Sequence, residues 1–146
     1  TCIFEGVNIS EGRGTTRPFE LIGAPFVNAP KLAETLNAVG LKGVRFRPAW
    51  FTPTFDDYEG ECCAGVQVHV LDREALEPVR VGLTMLKVFC ELYPKQVIIR
   101  NSASRLMGIP NLQERIRTDS VDDLIKEWQP QLDKFRALVK PHLLYP

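Results

Sequence analysis

Hydrophobic and polar positions alternate most clearly in two places along the chain. In residues 43–51, Val44 and Phe46 alternate with Arg45 and Arg47, and in residues 64–71, Val66, Val68 and Val70 alternate with Gln67 and His69. A period of two places successive side chains on opposite faces, so both segments are predicted strands with one apolar and one polar face. If the two strands pair, their polar faces merge into a shelf of Arg45, Arg47, Gln67 and His69; the competing reading is an ordinary solvated sheet face. A weaker alternation sets Ile3, Glu5, Val7 and Ile9 against Phe4, Gly6 and Asn8, which predicts a third strand over residues 3–9. Residues 18–26 are proline-punctuated and extended.

Helical spacing takes over elsewhere. Asn28 is placed to cap a helix with Pro30 in its first turn and Gly40 beyond its end, and Leu32, Leu36 and Val39 form its predicted buried stripe. Pro78 opens a long helix through Leu92, with Val79, Leu83, Leu86, Phe89 and Cys90 on one face and Pro94 as the stop. Residues 95–100 read as a short strand. Asn111 and Ser120 read as caps, Ser120 in a capping box with Asp123. The helices they introduce carry Leu124, Ile125 and Trp128, then Leu132, Phe135, Leu138 and Val139, and are predicted to cover the sheet. Strands early and helices late give an α+β domain over residues 1–146, with a mixed sheet, helices packed mainly on one face, and a helical C-terminal half.

Composition narrows the partners. The chain is 45% hydrophobic and 25% charged, ordinary for a globular domain, and 146 residues suffice for one core. Eighteen basic residues balance eighteen acidic ones, which argues against nucleic acid or an anionic membrane as partner. No apolar run reaches the roughly 18 residues needed to span a bilayer. There is no initiator Met and no leader, so the chain is expected to begin after processing or to be the trailing part of a longer polypeptide. The four cysteines, Cys2, Cys62, Cys63 and Cys90, form no C-x-x-C pair and are accompanied by only two histidines, so no metal site is expected and all four are read as reduced.

Candidate chemistry concentrates at the N-terminus. Residues 5–15 hold Glu5, Asn8, Ser10, Glu11, Arg13 and Thr15 among three glycines, which permit the close backbone approach a ligand site uses. Gly12-Arg13-Gly14-Thr15-Thr16 satisfies neither a Walker loop nor the dinucleotide fingerprint, whose third glycine is Arg17 here, so no nucleotide cofactor is expected. No G-x-S-x-G elbow exists, which leaves Ser10 as a hydrogen-bonding residue rather than a nucleophile. Glycoside hydrolysis fits better, because it needs two carboxyl groups about 5–9.5 Å apart, and Glu5 and Glu11 are the candidates. Their structural alternatives are an ion pair with an arginine for Glu5 and backbone N–H groups for Glu11. Arg13 can bind a carboxylate in a bidentate fork, its alternative being a salt bridge to Glu11 or Glu20; Arg45 and Arg47 are rival carboxylate readers. Trp50, Phe51, Phe55 and Tyr58 offer a stacking wall for a sugar ring, with Tyr58 the first choice to face a ligand.

The string Phe4-Glu5-Gly6-Val7-Asn8-Ile9-Ser10-Glu11-Gly12-Arg13-Gly14-Thr15 resembles the NamZ-type exo-β-N-acetylmuramidases, a family long catalogued as a domain of unknown function. The resemblance continues through Pro18-Phe19-Glu20, Gly23-Ala24-Pro25, Gly43-Val44-Arg45-Phe46-Arg47-Pro48, Phe51-Thr52-Pro53-Thr54-Phe55, Gly65-Val66-Gln67-Val68-His69-Val70, Asp72-Arg73 and Leu92-Tyr93-Pro94. It implies an enzyme that removes terminal N-acetylmuramic acid from peptidoglycan fragments, built from an N-terminal Rossmann-like domain and a C-terminal α+β domain, with this chain as the second part and inactive by itself. It also implies a periplasmic or secreted location, a muropeptide or other N-acetylmuramic-acid glycan as ligand, and the N-terminal domain as intramolecular partner. The family's catalytic carboxylate is implied to lie in that N-terminal part, which leaves substrate binding as the alternative role for Glu5 and Glu11. The lactyl carboxylate of N-acetylmuramic acid suits an arginine fork, and Arg13 is the first choice to read it. The candidate binding set is Asn8, Ser10, Arg13, Thr15, Arg45, Arg47, Tyr58, Gln67 and His69. A non-catalytic carbohydrate-binding or interaction module is the rival reading.

Overall fold

A computed structural model describes residues 2–145 and has the α+β architecture. Its sheet contains β1 (Leu21–Ala24), β2 (Val44–Phe51) and β3 (Cys63–Val70) in the order β1-β3-β2. Both pairings are antiparallel, so the sheet is not of the mixed kind the sequence suggested. β2 lies at an edge, where Pro48 removes no ladder donor that a neighbouring strand needs. Helix α1 (Ala29–Ala38) packs on β2 and β3 and against α2 (Pro78–Leu92). It starts as its sequence dictates: Asn28 Oδ1 accepts the Lys31 N–H at 3.0 Å, and proline occupies the first turn. Leu32 and Leu36 are buried, whereas Val39, the third member of the predicted stripe, lies half exposed beyond the last turn.

The apolar faces of the strands contribute Ile22, Val44, Phe46 and Val66 to a core that α2 completes with Leu83, Leu86 and Phe89. Val70, at the end of β3, is half exposed. Short helices follow: α3 (Asn101–Met107), α4 (Leu112–Thr118), α5 (Val121–Lys126) and α6 (Gln129–Val139). Ser120 caps α5 as predicted, its hydroxyl accepting the Asp123 N–H at 3.0 Å, while the return bond runs from that hydroxyl to the Asp123 carboxylate at 2.7 Å and not from the Ser120 backbone N–H as a capping box has it. Asn111 stands at the N-terminus of α4 but in the left-handed conformation and with no side-chain cap bond. Leu124 is buried and Trp128 packs on the core, but α6 has no buried residue. Leu132, Phe135 and Leu138 therefore do not cover the sheet, on whose apolar face α1 packs.

The predicted N-terminal strand is instead a 3₁₀ turn, Cys2–Gly6. Ile3 and Phe4 are adjacent and both buried, which strict alternation forbids, while Phe4 and Val7 stand three apart and are joined by a 2.9 Å backbone bond. The turn docks on α3. Gly6 is obligatory there, since a Cβ at this position would stand 2.5 Å from the Ala103 nitrogen. Residues 95–100 form no strand; one isolated bridge links Ile99 to Val7.

All four cysteines are free, Cys2 and Cys62 exposed and Cys63 and Cys90 buried. Burial pushes the Cys63 thiol up to about 11 and raises that of Cys90, which removes their thiolates at neutral pH. Brief maleimide treatment of the native chain at neutral pH is expected to modify Cys2 and Cys62 alone, with Cys63 and Cys90 reacting only after denaturation. Peptide mapping by mass spectrometry checks this; rapid native labelling of Cys63 would contradict the packing described.

Candidate functional site

Two short segments build the acidic end of the site. The loop over residues 10–20 is held to β1 by reciprocal backbone bonds between Ser10 and Gly23 (2.9 and 3.0 Å). It is also zipped to the segment after β2, where the Gly14 carbonyl accepts both the Thr54 N–H (3.0 Å) and the Thr54 hydroxyl (2.9 Å). Gly14 has φ +73°, and a Cβ there would stand 2.6 Å from the Thr54 nitrogen, so this approach admits only glycine. Phe19, Asp56 and Tyr58 also take positive φ, a strained conformation for such residues that clusters around this loop.

Arg13 lies at the centre. Its Nη2 is 3.1 Å from Glu5, its Nε 3.0 Å from Glu11 and its Nη1 3.6 Å from Asp56, and the guanidinium stacks 5.4 Å from the Phe19 ring centroid. Three carboxylates thus surround one cation. Glu11 is buried, and desolvation raises its pKa against the opposing pull of its own backbone hydrogen bond and of Arg13, with the Asp56 and Glu5 charges adding to the rise. The sequence points to Arg13, Glu5 and Glu11. It gives no hint of Asp56, which only the Gly14–Thr54 zipper brings into range.

An open groove of about 1050 Å³ runs beside this cluster, lined by Arg13, Thr15, Leu21, Trp50, Thr54 and Phe55 among others. Trp50 and Phe55 are 60% and 56% exposed, which large aromatic rings tolerate best where they face a partner or ligand. Phe51 is buried, and Tyr58 is held by donating its hydroxyl to the Asn8 carbonyl at 2.8 Å. The exposed aromatic wall is therefore Trp50 and Phe55.

The shelf is real, and it is continuous with this groove. The β2–β3 register places Arg45 opposite His69 and Arg47 opposite Gln67, so all four share a face. A second depression, about 360 Å³, is lined by Arg17, Arg47, Gln67, Leu21 and Trp50, the last two shared with the groove. The buried Gln67 amide accepts from Arg47 Nη2 at 2.5 Å and donates to Glu20 at 3.3 Å, and Glu20 pairs with Arg17 at 2.9 Å. Its bonds to Arg17 and Gln67 lower the Glu20 carboxyl pKa. Nε2 of His69 is buried without a hydrogen-bond partner. The surface is thus dipolar: the Arg13 cluster is negative and the shelf, with Arg17, Arg45 and Arg47 against Glu20, is positive.

Other expected ligand-facing groups are occupied by the protein itself. Asn8 Nδ2 donates to the Gln96 carbonyl at 2.9 Å and its Oδ1 accepts the Ile98 N–H at 2.7 Å. Ser10 is buried and accepts the Gly12 N–H at 3.2 Å; Thr15 donates to the Gly12 carbonyl at 2.6 Å and accepts the Arg17 N–H at 3.1 Å. Among the described residues, no group of three His, Cys, Asp or Glu side chains is placed to hold a metal ion, and no helix is long and apolar enough to cross a membrane.

Fold and site together define an α+β domain with a charged, aromatic-lined groove at one end of a small antiparallel sheet. The chain belongs to the family described as exo-beta-N-acetylmuramidase NamZ, C-terminal, which it matches over residues 1–145. It is 44% identical over 148 residues to the peptidoglycan beta-N-acetylmuramidase NamZ of Bacillus subtilis (strain 168), covering 99% of this chain and 36% of that protein. A crystal structure of a DUF1343 family protein from Bacteroides fragilis NCTC 9343 superposes with a TM-score of 0.86 at 28% identity, covering 99% of this chain and 40% of that one. A second DUF1343 protein of the same organism gives 0.58 at 23% identity over 99% of this chain and 38% of its own, and shares the fold. The chain thus spans little more than a third of the length of these relatives.

Proposed function

We propose that this chain is the C-terminal part of a glycosidase that releases terminal N-acetylmuramic acid from peptidoglycan fragments. In this reading it supplies substrate-binding residues to a cleft shared with the N-terminal portion its relatives carry. The observation that carries the reading is the groove itself: an open cleft with exposed Trp50 and Phe55 among its lining residues, beside a carboxylate cluster and an arginine-bearing depression, suits a sugar bearing an anionic substituent. The name of the Bacillus subtilis relative supports the same substrate. Glu11 is the first candidate for acid–base work among this chain's residues, because its raised pKa favours holding a proton. Glu5 is the second, and Arg13 orients both. A peptidoglycan substrate favours a periplasmic or secreted location for the protein.

The test is chromophore release from a chromogenic β-N-acetylmuramide by the 146-residue chain alone and by a polypeptide carrying the N-terminal portion as well. Release by the longer polypeptide only is expected. Release by the chain alone would move the catalytic carboxylates to Glu5 and Glu11, and release by neither defeats the reading. A glycan-binding module without hydrolysis is the second reading, favoured by the ion pairs that engage Glu5 and Glu11. Glu11→Gln separates the two, since it should slow the glycosidase and leave a pure binder's affinity intact.

A further inference from the structure

Helix α6 buries no residue, and the element it chiefly contacts is the short turn that follows it, Lys140–His142. Eleven residues are too few to hold a helix in water by themselves, so its stability has to come from packing against something else. Leu132, Phe135 and Leu138 recur at a spacing of three, which gathers them within about a third of the helix circumference, and Asp133 and Ala137 fall on the other side. Phe135 and Leu138 are 59% and 69% exposed. An open depression of about 520 Å³ runs beside this stripe, lined by Val79 of α2, Leu106 and Met107 of α3, and Trp128, Leu132 and Phe135. Val79 and Leu106 are themselves half exposed, so stripe and depression make one apolar patch that the described residues leave uncovered. Such a patch on a globular domain marks contact with another polypeptide surface.

The occupant is indicated by how much chain lies beyond this domain and where it joins. The chain matches a C-terminal family and covers 36% of the Bacillus subtilis relative, so more than half of that polypeptide lies outside the matched region. The N-terminal turn, Cys2–Gly6, sits close to the patch. Ile3 packs on α2, its Cγ2 3.7 Å from where a Cβ on Gly82 would stand, and Gly82 is one helical turn from Val79. Gly6 is pressed against Ala103 of α3, one turn from Leu106 and Met107. This turn therefore rests on both helices that line the depression, and a portion joined ahead of it is held beside the patch at high effective concentration. We infer that the Leu132–Phe135–Leu138 face of α6, with Val79 and Leu106 at its base, is the surface on which the N-terminal portion of the longer polypeptide packs, through an apolar patch of its own. The inference rests on the reading of this chain as the C-terminal part of a longer glycosidase. It adds a contact distinct from the substrate groove, with which the depression shares no lining residue. A hydrophobic contact there restrains the relative motion that a small polar interface between domains permits.

Hydrogen exchange read by mass spectrometry, on the 146-residue chain and on a polypeptide carrying the N-terminal portion as well, tests this. The amides of residues 129–139 are expected to exchange at least about tenfold more slowly in the longer polypeptide, since a helix that nothing covers opens readily. Phe135→Lys should abolish most of that slowing in the longer polypeptide and leave the urea midpoint of the 146-residue chain unchanged, because Phe135 is exposed there. Ala137→Lys, on the opposite side of the helix, should retain the slowing. Equal exchange in the two polypeptides, slowing that survives Phe135→Lys, or slowing that grows with protein concentration, which would make a second copy the occupant, overturns the inference. Muramide hydrolysis by the longer polypeptide is scored separately. Hydrolysis without protection of α6 overturns the docking surface and leaves the activity standing, whereas protection without hydrolysis does the reverse.

Discussion

Phe4→Ala is expected to destabilise the domain by about 3–5 kcal/mol, the range for emptying a fully buried aromatic site. Phe4 has no exposed surface, and its ring meets Phe89 of α2 edge-to-face at 5.7 Å and 71°, so truncation removes both the packing and the aromatic pair. The surroundings have little freedom to collapse, because Gly6 is jammed against Ala103 on one side and Val7 is bridged to Ile99 on the other. Urea unfolding measures the effect as a lower midpoint at unchanged slope. A loss below about 1 kcal/mol would mean that residues 3–9 do not dock as a buried turn, and would return them to the surface strand their alternation suggests.

The second large effect is electrostatic and carries a pH signature. Arg13→Met leaves Glu5, Glu11 and Asp56 together without their shared cation. Losing one partner of a buried ion pair costs about 3–5 kcal/mol, but Arg13, Glu5 and Asp56 are partly solvated, so about 2 kcal/mol at neutral pH is expected. In the parent chain the folded-state pKa of Glu11 already lies above its ordinary value, so its contribution to stability is greatest when it is protonated and is lost as pH rises through the folded pKa. Removing Arg13 takes away a charge that lowers this pKa and raises it further. The gap between parent and variant should therefore be widest at neutral pH and close as pH falls to about 4, where Glu11 is largely protonated in both. Urea midpoints across that range test it, and a gap independent of pH would show that Arg13 acts through packing on Phe19 instead of through charge.

Where one pattern ran unbroken between strong stops, the sequence was sufficient. β2 and β3 alternate cleanly, α1 lies between Asn28 and Gly40, and α2 between Pro78 and Pro94, and each formed within a residue or two of its expected bounds. The shelf followed, because the register that pairs Arg47 with Gln67 is fixed by burying Phe46 and Val66. Residues 3–9 misled because their apolar positions satisfy a period of two and a spacing of three about equally, and only the contact with α3 decides between them. The stripe on α6 was legible as a stripe, but periodicity does not say what a stripe packs against.

In the site, Arg13, Glu5 and Glu11 were legible as a cluster because they are close in sequence. Asp56 was not, since its approach depends on a zipper between segments 40 residues apart. Asn8, Ser10, Thr15 and Tyr58 carry the hydrogen-bonding chemistry of a ligand site, yet the same groups serve equally to fasten loops, and sequence does not separate the two uses.

The fastening of Asn8 to residues 96 and 98 bears on the order in which the molecule forms. The segment carrying Asn8, Glu11 and Arg13 is synthesised before its partner at Ile98, which lies 90 positions beyond Asn8. Closing so long a loop is slow compared with pairing β2 to β3 or winding α2, so the Asn8 segment is fixed after the strands and α2. A nascent chain halted before residue 96 has its strands, α2 and the bonds that hold residues 10–20 to β1 and to Thr54, but it lacks the anchor of Asn8 and the α3 surface on which the turn carrying Glu5 docks.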